Sequence, residues 1–183
     1  NISSDYTAAK EFYVLLYEFN VGMKNYLKGR DLPYETLEDI VKFNEANSDT
    51  VLKHFGQEIF LESLKATDTE RYLTEREDIG RLAKEQIDSV LKVNNLDVII
   101  GLTRNPGWLT DLENGDSRGD GGISWSNGGL SAVAGYPHIT IPLDFVNDLP
   151  VGVSFLGTAW DEANLINAAY SFEQENKFFP IPK

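Results

Sequence analysis

Ser124, Ser126 and Ser131 lie within or beside a glycine-rich run at 119–130, the first place in this chain to look for a nucleophile. A hydrolytic serine needs a base within hydrogen-bond reach and donors for the developing oxyanion. No Gly-x-Ser-x-Gly elbow surrounds any of the three, and the nearest histidine is His138. Lysine is absent between Lys92 and Lys177, so a Ser–Lys pair would have to come from distant elements. These residues predict no catalytic set within the chain. Metal chemistry fares no better. His54 and His138 fit no zinc spacing and read as a surface residue and a strand-end residue. The acidic stretch Asp111-Leu-Glu-Asn-Gly-Asp-Ser-Arg-Gly-Asp120 resembles a calcium loop. It fails in both registers, with Gly115 fifth from Asp111, and Arg118 third and Asn127 twelfth from Asp116. A solvated turn is the expectation, with no metal. Arg118-Gly119-Asp120 matches an adhesion tripeptide, but three residues recur by chance and nothing else points to adhesion. The glycines form neither a Walker loop nor a Gly-x-Gly-x-x-Gly turn after a strand, so no nucleotide or other cofactor is expected.

The elements that would position such residues fall into two textures, a helical part at 1–95 and a strand–loop–strand–helix part at 96–183. In 7–28, Phe12, Leu15, Leu16, Phe19, Met23, Tyr26 and Leu27 recur at three- and four-residue steps, one apolar stripe of a helix. Thr36-Leu37-Glu38-Asp39 has the form of a capping box. A short helix is expected at 57–66. Thr67-Asp68-Thr69-Glu70 is a second box candidate, opening a helix to about Val93 with Tyr72, Ile79, Leu82, Ala83, Ile87, Val90 and Leu91 on one face. The apolar run 96–101 predicts a strand buried on both faces. A long irregular loop follows, then a small-residue helix at 129–135, strands at 138–142 and 151–156, and an amphipathic helix at 161–176 with Leu165, Ile166, Ala169, Tyr170 and Phe172 inward. Loops of that length inside a compact domain are usually functional or disordered, and two embedded tryptophans argue against disorder. The fold class is α/β, with three strands where a sheet typically has about four to six, so the sheet is expected to be incomplete and its remaining strands to lie in another segment.

Composition narrows the partners. Sixteen Lys and Arg against 29 Asp and Glu leave a net charge of −13 over 183 residues. Binding nucleic acid requires clustered cations, so that class is excluded. No stretch of 18 apolar residues exists to span a membrane. The absence of cysteine excludes disulfides, thiol catalysis and cysteine-ligated metals. It leaves the compartment open between a secreted enzyme and the cytoplasm, the latter preferred. Asn1 is neither a methionine nor the start of a leader, so the true N-terminus is expected elsewhere.

From about Asp97 onward, four ordered blocks resemble one family. They are Asn105-Pro-Gly-Trp-Leu-Thr-Asp-Leu-Glu-Asn-Gly-Asp116, Leu130-Ser-Ala-Val-Ala-Gly-Tyr-Pro-His-Ile-Thr-Ile-Pro142, Leu149-Pro-Val-Gly-Val-Ser-Phe-Leu-Gly157, and Trp160-Asp-Glu-Ala followed by Ala169-Tyr-Ser-Phe-Glu173. Together they resemble the closing region of the amidase signature family, whose members typically read AAVAGYPHITVP, LPVGLSFIG and FE there. The resemblance implies a mixed sheet flanked by helices, of which this chain is the C-terminal part. It also implies a cofactor-free serine hydrolase that cleaves carboxamide C–N bonds. The family's lysine base, bridging serine on a cis peptide bond and nucleophilic serine belong to its N-terminal part, and none matches a residue here. Ser126-Asn127-Gly128-Gly129-Leu130-Ser131 is rejected as the nucleophile segment because it directly precedes the C-terminal block.

What this segment would contribute is scaffold and a wall of the substrate pocket, since loops at strand ends carry sites. The candidates are Asn105, Trp108, Asp111, Asp120, Trp125 and Ser126. Trp125 would form an apolar wall, and Asp120 or Asn105 would accept from an amide or ammonium. The expected partners are the N-terminal catalytic part of the same protein, a small amide substrate and, through an exposed sheet edge, a second copy. Two other readings stand beside this one: a free-standing, non-catalytic binding module, and the second chain of a split amidase.

Overall fold

The computed structural model describes residues 5–113 and 128–178, with 5–8 as backbone alone. Their elements in chain order are α1 (Asp5–Leu27), α2 (Leu37–Ala46), α3 (Ser48–Val51), α4 (Glu58–Lys65), α5 (Thr69–Asn94), β1 (Ile99–Leu102), α6 (Gly129–Ala134), β2 (His138–Val146), β3 (Leu149–Leu156) and α7 (Glu162–Asn176). They form two compact units, one of 7–77 with 110–113, the other of 78–109 with 128–178.

In the helical unit, α2 opens on the expected capping box. Thr36 Oγ accepts from the Asp39 amide at 3.2 Å, and the Asp39 carboxylate accepts from the Thr36 amide at 2.9 Å. The same carboxylate accepts from the Glu35 amide, and these bonds hold the Asp39 carboxyl below its ordinary range. Leu37 and Val41, four apart, are the side chains this helix buries. At α5 the cap falls one residue later than the sequence suggested: Asp68 Oδ1 accepts from the Arg71 amide at 3.0 Å.

α1 departs further from expectation. Tyrosines outside its apolar stripe tie it to the start of α5. The Tyr13 hydroxyl donates to the Asp68 carbonyl at 3.2 Å and accepts from the Asp68 amide at 3.1 Å. Tyr17 stacks on Tyr72 with ring centroids 4.2 Å apart. The stripe is covered only in part: Leu16 and Leu27 are buried, while Leu15 at 56% and Tyr26 at 59% stay exposed.

The other unit holds a three-stranded sheet in the order β1-β3-β2, both pairings antiparallel. Asn147 and Asp148 sit at φ 50° and 62° and close β2 onto β3. Left-handed backbone at both central residues is what a two-residue hairpin of right-handed twist requires. The register sets Ile141 opposite Val153 and Ile99 opposite Leu156, with a bulge between Pro142 and Asp144.

Successive β3 residues point to opposite faces, and Val153 through Leu156 are all buried, so the central strand is covered on both sides. On one face Leu156 packs with Ala83, Ile87 and Leu91 of α5 and Leu130 and Ala134 of α6. On the other, Val153 and Phe155 pack with Leu165 and Ala169 of α7, and Phe172 meets the Phe155 ring edge-on at 5.8 Å.

Two expectations are corrected here. β1 is not buried on both faces: Ile100 is 52% exposed, because α7 covers β2 and β3 but not this outer strand. Ile166 and Tyr170 point outward, since 165, 169 and 172 already make the buried stripe of α7 and the neighbours at 166 and 170 are rotated about 100° away from it. α6 falls within the expected 129–135, and Gly135 closes it. Gly135 adopts φ 68°, while the amides of Gly135 and Tyr136 donate to the Ala132 and Ser131 carbonyls, a left-handed cap.

Candidate functional site

β1 runs straight into the loop that holds the candidate residues. The Thr103 amide donates to the Gly152 carbonyl at 2.8 Å, so the ladder continues one residue past the strand and anchors the loop's root. From there the loop carries half-buried Asn105 and then Trp108, 36% exposed, with the Arg104 guanidinium 5.7 Å from its ring centroid. A cation over an aromatic face orients both groups and leaves the ring edge for contact. Asp111 belongs to the helical unit. Its Oδ1 accepts from the Glu113 amide at 2.9 Å, a local turn of the kind aspartate favours. Asp120, Trp125 and Ser126 lie outside the described residues, as do the Arg118-Gly119-Asp120 tripeptide and most of the acidic stretch. Asn105 and Trp108 are therefore the two sequence candidates that one unit holds on one loop.

At the root of that loop sits a cluster the sequence reading missed. Ser154 on the central strand, fully buried, shares hydrogen bonds with Thr103 Oγ1 at 2.7 Å and Thr140 Oγ1 at 3.0 Å. The three hydroxyls occupy neighbouring strands on one face of the sheet. Gly152 gives them room: a Cβ there would lie 2.8 Å from Thr140 Cγ2 and 2.9 Å from Thr103 Oγ1. Each hydroxyl offers one donor and two acceptor lone pairs, so mutual bonding leaves acceptors over. The signal was present in Val151-Gly-Val-Ser154, where small residues alternate with apolar ones in a strand pattern. It was unread because the partners Thr103 and Thr140 are distant in sequence.

A second polar knot fixes the opposite end of the sheet. The Asp88 carboxylate accepts from the Tyr136 hydroxyl at 2.8 Å and the Thr158 hydroxyl at 2.7 Å. Burial, followed by the bond to Asp88, pushes the Tyr136 hydroxyl pKa up. The knot joins α5 to the segments that follow α6 and β3. Beside it, His138 opens β2 with its Nε2 buried and without a hydrogen-bond partner among the described residues. Burial pushes its pKa down, which favours the neutral ring. His54 is on the surface. Ser131 is buried, and its hydroxyl donates to the Gly128 carbonyl at 3.0 Å, so it serves the helix start. Among the described residues no group of acidic, histidine or cysteine side chains could hold a metal ion, and no helix is long and apolar enough to cross a membrane.

No family model matches the chain. Individual proteins do. A probable amidase of Arabidopsis thaliana is 29% identical over 182 residues, which cover 97% of this chain and 31% of that protein. A glutamyl-tRNA(Gln) amidotransferase component of Exiguobacterium sibiricum is 31% identical over 159 residues, covering 81% of this chain and 31% of its own length. The crystal structure of native peptide amidase from Stenotrophomonas maltophilia superposes with a TM-score of 0.83 at 34% identity, over 97% of this chain and 35% of that one. The chain thus spans about a third of the length of the proteins it matches.

Proposed function

The chain belongs to the amidase signature family, of which it is a C-terminal segment, and from that premise we propose that it is part of a serine hydrolase that cleaves the C–N bond of small carboxamides with water. The observation that carries the proposal is the match to peptide amidase over almost the whole of this chain with so little of the larger enzyme covered.

In this reading the lysine base, bridging serine and nucleophilic serine stand outside the chain. The nucleophile attacks the carboxamide carbon, ammonia departs, and water releases the acyl group. This segment supplies sheet, helices and pocket wall, and no cofactor takes part. Trp108 offers an apolar face and Asn105 an amide able to donate to, or accept from, the carboxamide, both set by the rigid root at Thr103. Asp111, Asp120, Trp125 and Ser126 are the further wall residues proposed. The catalytic part is the partner that completes the sheet, and without it the open edges of β1 and β2 are proposed to pair with a second copy.

The test places this chain in the Stenotrophomonas maltophilia peptide amidase in exchange for the part it matches. The chimaera is expected to release ammonia from peptide amides, the isolated chain to release none, and the chimaera with its nucleophilic serine changed to alanine to fall silent. Ammonia from the isolated chain, or a folded but inactive chimaera, overturns the proposal. The second result would favour a binding module.

A further inference from the structure

The apolar stripe of α1 does not meet open solvent as a flat face. Together with α4 it walls a groove of about 680 Å³ within the helical unit. Phe12 (43%), Leu15 (56%), Tyr26 (59%) and Ile59 (52%) remain exposed along it, while Phe19 stacks on Phe60 at 5.3 Å. The charged residue in the lining is Glu18, and its carboxylate is already engaged by the Tyr72 hydroxyl at 2.7 Å and faces Arg76 at 3.9 Å. Nothing in the groove is left to recognise a charged ligand. Ser63, another lining residue, is fully buried, and its hydroxyl has no hydrogen-bond partner among the described residues. A polar-poor trough of this size resembles a core cut open more than an ordinary polar surface.

We infer that this groove is the seat of an apolar segment from the catalytic part of the amidase fold, an inference that rests on the reading above. Two observations choose that occupant. About two thirds of each matched protein lies outside the region this chain covers, so a large body of the same fold has yet to be packed against it. A second copy is the poorer fit, because each chain carries −13 and the groove offers no cation to offset the repulsion.

The test compares one pair of substitutions in two contexts. Leu15→Glu with Ile59→Glu touches exposed positions, so the isolated chain is expected to keep its helicity and its urea midpoint. In the peptide amidase chimaera the same pair would bury two charges, and the folded-to-unfolded ratio at the parent's midpoint is expected to fall at least about tenfold. Carbene footprinting of both proteins is expected to label Phe12, Leu15 and Ile59 in the isolated chain and to spare them in the chimaera. Equal labelling in the two contexts overturns the seat. So does a pair of substitutions that is neutral in both, or labelling of the isolated chain that falls as its own concentration rises. A chimaera that never folds while the chain alone does also counts against it. The two readings fail separately. A spared groove in a chimaera without ammonia release keeps the seat and removes the amidase reading, and an active chimaera with an open groove does the reverse.

Discussion

His138 shows how a single side chain can be placed by its neighbours yet left without a partner. It opens β2 opposite Leu156, its Nε2 is buried, and burial lowers its pKa below the ordinary value of about 6.5. The unfolded chain then binds more protons than the folded one around and below pH 6.5, so stability rises with pH through that window. The contribution is complete above about pH 6.5 to 7 and is lost as pH falls. Urea titrations of the isolated chain at about pH 5 and pH 7.5 are expected to differ, and His138→Gln is expected to flatten that difference. An unchanged slope would assign the acid sensitivity elsewhere. Asp39, whose carboxyl is held low by amide bonds, acts only at more acidic pH and does not blur the test. At this scale sequence was a fair guide to residue type and a poor one to surroundings. That His138 sits at the end of a strand where the chain enters it was legible from Tyr136-Pro137-His138, whereas its buried, unpaired nitrogen depends on strands and helices far away in the chain.

Elements were legible where they had a local cause. The capping box at Thr36 and Asp39 and the 3.6-residue period of Ile79, Ala83, Ile87 and Leu91 are local, and both stand in the structure. The four-residue α3 has no comparable signature in sequence. What failed was the assumption that an apolar residue in an element is a covered one, as Ile100, Ile166 and Tyr170 show, while the α1 stripe is covered only in part. Covering is supplied by a partner element, and that information is absent from a local window. The same reasoning explains why Asn105 and Trp108 could be named as candidates from the loop's local sequence while the hydroxyl cluster beneath them, built from distant strands, could not. That cluster makes a prediction of its own. Gly152→Ala forces a methyl against Thr140 Cγ2 and Thr103 Oγ1, both on stiff β-branched side chains, and is expected to cost about 1–3 kcal/mol in urea unfolding. Adding Thr140→Ser removes the Cγ2 methyl and keeps the hydroxyl, and is expected to restore part of that loss. Full stability in Gly152→Ala alone would mean that the three strands yield more readily than their hydrogen bonds suggest.

For the whole molecule, a net charge of −13 and the two sheet edges left unpaired among the described residues pull in opposite directions. Unpaired edge amides and carbonyls favour pairing with another chain, and like charge opposes it. Salt should decide between them, because charge repulsion between exposed groups fades once the screening length drops to a few ångströms. Light scattering of the isolated chain is expected to give a monomer at low ionic strength and a dimer at about 1 M salt. A monomer throughout would remove edge pairing from the account.

The sheet also has a timetable. β2 and β3 are joined by two residues, so their hairpin closes locally, on a scale of about 1–10 µs for such hairpins. β1 must reach the same β3 across segment 103–128, α6 and β2, and paying the entropy of that closure comes before its four residue pairs repay it. The strand expected to arrive last, β1, is the one that leads into the Asn105–Trp108 loop. The proposed pocket wall is thus expected to be finished after the hairpin, so that a newly made chain holds β2 and β3 together before it holds that wall.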